Sequence, residues 1–131
     1  MITFLLNGEE KTFKGDENLS LLTYLRDYEG ITSVKDGCSG EGACGACMLE
    51  MNGKPTLSCI TPMKRVRGAR IVTIEGFEER VRRILGLAFV KKGAVQCGFC
   101  TPGLMSRARI LLENNPEPNR EEIVHALRHN L

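Results

Sequence analysis

The chain has 131 residues and is 42% hydrophobic, with five Phe, two Tyr and no Trp, which leaves room for one ordinary domain or two small ones with thin cores. Its 18 basic and 16 acidic residues give a formal charge of +2, too balanced to support nucleic-acid or membrane binding, and no stretch has the apolar length of a membrane span or a secretory leader. A cytoplasmic location is therefore expected, where six cysteines point to metal ligation rather than to disulfides.

Ile2 to Leu6 is an apolar run with β-branched and aromatic members, and Asn7-Gly8 after it is a strong hairpin signal, with Lys11 to Lys14 as the return strand. Asp16 to Asn18 offers caps for a helix carrying Leu19, Leu21, Leu22, Leu25 and Tyr28 on one face, ended by Gly30. Further on, Met48 to Met51 reads as a strand, Asn52-Gly53 as a second hairpin turn, Thr56 to Ile60 as its partner and Arg70 to Glu75 as a closing strand.

The pattern changes at Gly76. Val81, Ile84, Leu85, Ala88 and Phe89 line one helical face up to Lys91-Lys92-Gly93. Thr101-Pro102 predicts the next start, Thr as N-cap and Pro as first helical residue, and Asn114-Asn115-Pro116 its stop. Asn119 with Glu122 forms a capping-box pattern for a last helix. The local basic excess at Lys64, Arg65, Arg67 and Arg70 reads as a solvated face or a docking patch, because no aromatic residue interleaves it as base stacking requires.

Between the first helix and the second hairpin lies Gly37-Cys38-Ser39-Gly40-Glu41-Gly42-Ala43-Cys44-Gly45-Ala46-Cys47, with Cys59 beyond it. Cysteines separated by small, flexible residues suggest converging thiolates, and four with this spacing are the usual way to hold a plant-type 2Fe-2S cluster. Such a cluster is a buried dianion when oxidised, so backbone N-H groups must reach its sulfurs. Gly37, Gly40, Gly42 and Gly45 allow the tight path, having no Cβ and free access to positive φ. The rival is a zinc ribbon through Cys44, Cys47, Cys97 and Cys100, which would leave Cys38 and Cys59 idle.

A second cysteine pair sits in Ala94-Val95-Gln96-Cys97-Gly98-Phe99-Cys100, just before a predicted helix N-terminus, a place that favours thiolate charge. Three stretches, Gly42-Ala43-Cys44-Gly45-Ala46-Cys47, Thr73-Ile74-Glu75-Gly76 and Gln96-Cys97-Gly98-Phe99-Cys100-Thr101-Pro102-Gly103, carry a likeness that extends over the whole chain. The chain resembles the iron-sulfur region of the xanthine dehydrogenase and aldehyde oxidoreductase family of molybdenum hydroxylases.

The resemblance implies an α+β fold: a β-grasp ferredoxin domain over residues 1–76, then a helical domain over 77–131 that is part of a four-helix 2Fe-2S unit. It implies that Cys38, Cys44, Cys47 and Cys59 ligate the first 2Fe-2S cluster, with Gly40, Gly42 and Gly45 as its loop backbone. Cys97 and Cys100 would supply half of a second cluster, and Gln96 would lie against a molybdopterin. The expected role is the electron-transfer component of an oxidoreductase complex. It would relay electrons from molybdopterin towards FAD, both held by partner subunits or domains, with substrate oxidation outside this chain.

Two features depart from the family pattern. Ser39 to Ala43 makes the interval between the first two cysteines one residue longer than usual. The Cys-x-Cys pair that completes the family's second cluster is expected where this sequence stops, at His129-Asn130-Leu131, so the polypeptide is expected to continue. A free-standing 2Fe-2S ferredoxin and a zinc-stabilised interaction module are the alternatives.

Overall fold

A computed structural model describes residues 1–128 and 130. Strands β1 (Ile2–Leu6), β2 (Glu9–Phe13), β3 (Met48–Met51), β4 (Lys54–Leu57) and β5 (Arg70–Val72) form one mixed sheet in the order β2-β1-β5-β3-β4. Two hairpins make its halves. Asn7 and Gly8 turn the first with φ of 51° and 86°, and Asn52 and Gly53 the second with 52° and 80°, the doubly left-handed turn that matches strand twist. β5 then joins them, parallel to β1 through Leu5–Arg70 and antiparallel to β3 through Met51–Ile71.

Alternation along β1 puts Ile2, Phe4 and Leu6 into a core with Leu21, Leu25, Leu49, Met63 and Ile71. Helix α1 (Leu21–Thr23) is capped by the Ser20 hydroxyl, not by Asp16 to Asn18. It then widens over Tyr24–Tyr28, where Glu29 N-H donates to the Tyr24 carbonyl at 3.3 Å, and Gly30 ends it at φ 69°. The wider turn brings the Tyr24 and Tyr28 rings into a stack, and Phe13 meets both edge-on.

Two strands are shorter than their residue types suggest. β4 stops at Leu57 because the Ser58 hydroxyl donates back to the Cys47 carbonyl at 2.8 Å and curls Ser58–Ile60 into a tight helical turn. β5 stops at Val72 because the Asn7 side chain takes over the hydrogen bonding of Thr73.

Helices α2 (Glu79–Lys91), α3 (Thr101–Asn114) and α4 (Arg120–Leu127) follow Gly76. α3 packs on β3, while α2, α3 and α4 enclose an apolar groove of about 430 Å³ with Phe89, Leu111 and Ile123 in its walls. Asn119 and Glu122 form the expected capping box. At the start of α3, Cys100 occupies the N-cap position, so Thr101 and Pro102 lie inside the helix. The Thr101 hydroxyl is buried and makes no hydrogen bond. Among the described residues no helix is long and apolar enough to cross a membrane.

Candidate iron-sulfur centres

The loop over 37–47 runs from α1 to β3, so Cys47 sits where the loop becomes a strand and is only 2% exposed. The β3–β4 register sets Met48 opposite Leu57, and the tight turn after β4 therefore swings Cys59 back to Cys47. Three sulfurs accept backbone N-H groups: Cys38 from Ala43, Cys44 from Ala46 and Cys47 from Cys59, each at 3.4 Å. Fixed N-H dipoles aimed at sulfur are what anionic thiolates need in place of water.

The four thiols lie within one another's influence, Cys38 acting with Cys44, Cys47 with Cys59, and Cys38 also on Cys59. Amide N-H groups of Ala43 and Cys44 draw the Cys38 thiol down to about 7. Burial, reinforced by the Cys47 thiol, pushes Cys59 up to about 12. A two-iron centre held by all four must displace the Cys59 proton.

The loop conformation depends on its glycines. Gly40, Gly42 and Gly45 have φ of 81°, 72° and 76°, in the left-handed region where a Cβ is strained. Gly37 is required for a different reason, since a methyl there would lie 2.9 Å from the Cys44 sulfur. Ile60 lies over Gly42, a packing role that residue types alone did not mark.

Cys97 and Cys100 are exposed on the turn between α2 and α3, and Gln96 is exposed beside them. The turn abuts the first loop: the Phe99 ring reaches Gly37, and the Lys35 ammonium stands 5.8 Å from that ring. Gly103 in α3 packs on the Gly45 carbonyl, which also accepts the Asn130 side-chain amide at 3.1 Å. Among the described residues no three Cys, His, Asp or Glu side chains converge as one metal ion requires, so the zinc quartet Cys44, Cys47, Cys97 and Cys100 is not assembled. Two thiol pairs side by side suit a two-iron centre in which each iron takes two thiolates.

Family comparisons agree with this chemistry. A family model described as a 2Fe-2S iron-sulfur cluster binding domain matches residues 9–84, and another described as a 2Fe-2S binding domain matches residues 73–131. The nicotinate dehydrogenase small FeS subunit of Eubacterium barkeri is 44% identical over 131 residues, covering 99% of this chain and 83% of that subunit. The chain belongs to the iron-sulfur subunits of the molybdenum hydroxylase family.

This iron-sulfur chain also superposes on quinoline 2-oxidoreductase from Pseudomonas putida 86 with a TM-score of 0.89 and 35% identity, covering 99% of this chain and 80% of that one. The aldehyde oxidoreductase of Megalodesulfovibrio gigas is 42% identical over 120 residues, which are 90% of this chain but 13% of that protein. The same unit thus occurs both as a small subunit and as a segment of a much longer polypeptide. Membership makes the chain the electron-transfer component of an oxidoreductase.

Proposed function

We propose that the chain relays single electrons between a molybdopterin centre and FAD, or another acceptor, in partner subunits or domains of a cytoplasmic complex. Residues 1–76 act as a β-grasp ferredoxin domain. Residues 77–131 form part of a four-helix domain. The gathering of Cys38, Cys44, Cys47 and Cys59 around the first loop, with backbone N-H groups directed at three of their sulfurs, carries the reading, and Cys38 with Cys44 would hold one iron and Cys47 with Cys59 the other. Such a cluster, once bound, takes up and releases one electron at a time.

The chain's own residues tune that site. N-H groups of Ala43, Ala46 and Cys59 are already directed at three sulfurs, which offsets the desolvation of a multiply charged centre. Burial of Cys47 keeps one side of the quartet from water. Cys97 and Cys100 supply two ligands of a second cluster, and the exposed Gln96 contacts the pterin. The contact between the Phe99 turn and the first loop supports a relay, because it sets the two cysteine groups against each other. A free-standing ferredoxin would have little use for the exposed Ile84, Leu87 and Val90 of α2.

Metal and sulfide analysis of the purified chain tests the proposal. About two iron and two sulfide per cluster with visible charge-transfer absorbance are expected, and Cys47→Ser should bleach the first cluster. A colourless protein loaded with zinc, or a Cys47→Ser variant with an unaltered spectrum and full electron flow, would overturn it.

A further inference from the structure

Arg107 and Arg109 lie two positions apart on α3, on nearly opposite sides of the helix, and their surroundings differ. Arg109 pairs with Glu50 and Glu113 and lies 4.8 Å from the Phe77 ring. Among the described residues Arg107 has no such neutralisation. It is half-buried, its Nε is shut off from water without a hydrogen-bond partner, and burial holds its pKa below the ordinary guanidinium value. Desolvating a guanidinium with no counter-charge is costly, and an incoming anion relieves the cost.

Arg107 lines a surface pocket of about 360 Å³ together with Arg65, Thr56, Thr61, Met48 and Ile60, and among the described residues no Asp or Glu lines it. Met48 directly follows Cys47 and Ile60 directly follows Cys59, so two of the pocket's walls are chain neighbours of two of the four thiols. Arg65 is exposed, and Ile60, at 55% exposure, gives the pocket an apolar wall.

We propose that this pocket receives an aspartate or glutamate side chain of the partner chain that exchanges electrons with the first site, its carboxylate bridging Arg107 and Arg65. Two guanidiniums give the charge complementarity and the fork geometry that a carboxylate fits. Ile60 offers contact area to apolar neighbours of that side chain, which a small hydrated anion could not use. Seating there brings the partner's surface to within a residue of Cys47 and Cys59. The proposal rests on the relay reading above.

The test titrates the full-length, cluster-loaded subunit with its purified partner subunits over a range of salt concentrations. Arg107→Gln should weaken association about tenfold at low salt and flatten its salt dependence, with iron content and visible absorbance unchanged. Arg65→Gln, on an exposed side chain, should act in the same direction by a smaller factor. Unchanged affinity in both variants overturns the pocket while leaving the relay intact, whereas a wild-type subunit without iron and sulfide overturns the relay itself. Inorganic phosphate binding that depends on Arg107, with partner association unaffected, would make the pocket a small-anion site and also refute the proposal.

Discussion

Arg109 on α3 donates to the carboxylate of Glu50 on β3, which is 5% exposed, and so ties the helical half to the sheet. The geometry is costly to break from one side. Arg109→Ala would leave a buried carboxylate unpaired and remove the cation over Phe77, so a loss of about 3–5 kcal/mol is expected. Glu50→Gln, which keeps a hydrogen-bond acceptor without the charge, should cost less. Denaturant unfolding of both variants checks the order.

Gly103 approaches the Gly45 carbonyl so closely that a methyl group would stand 2.7 Å from that oxygen. Alanine improves helix propensity by about 1 kcal/mol, but overpacking against backbone costs about 1–3 kcal/mol. Gly103→Ala is therefore expected to lower the melting temperature and to disturb the cluster loop, seen as an altered visible spectrum. A higher melting temperature would contradict the close packing.

In the chain stripped of metal, Cys38 and Cys59 should react very differently. With the Cys38 thiol at about 7 and Cys59 at about 12, alkylation near neutral pH should label Cys38 first and Cys59 last. Below its pKa, the rate at Cys38 should fall about tenfold per pH unit as thiolate is lost. Peptide mass spectrometry of timed samples reads both. Reloading with iron and sulfide should release protons and quicken as pH rises.

Glu29 governs part of the acid response. Burial raises its pKa, but the Tyr24 hydroxyl and the Lys11 ammonium, 3.1 Å away, outweigh burial and hold the carboxyl below its ordinary value. A depressed folded pKa means that the stabilisation is present above the unfolded pKa and is lost as pH falls through the folded one. Unfolding midpoints measured from about pH 7 down to about pH 3 should drop less steeply in Glu29→Gln. An identical acid limb in the variant would show that the pairing contributes nothing.

Features set within a few residues were legible in the sequence. The Asn-Gly turns, the stops at Gly30 and Gly93 and the Asn119–Glu122 capping box depend on local backbone preferences and short side-chain reach. The iron-sulfur character of the chain was legible too, because closely spaced cysteines set among glycines carry it directly.

Only the tertiary structure decided the rest. The parallel pairing of β1 with β5 joins residues far apart in the chain, and no local pattern encodes it. Ser58 ends β4 early by bonding to Cys47, and that tertiary bond, not strand propensity, aims Cys59 at its partner thiol. Cys100 takes the cap position expected for Thr101, as α3 begins one residue earlier on the turn that packs against the cluster loop. Arg107 and Arg109 are the same residue type on one helix, yet one is neutralised by two carboxylates and the other lines a pocket that, among the described residues, has no carboxylate in its walls. Composition and periodicity cannot tell them apart, because the difference lies in what the sheet places opposite each side of the helix.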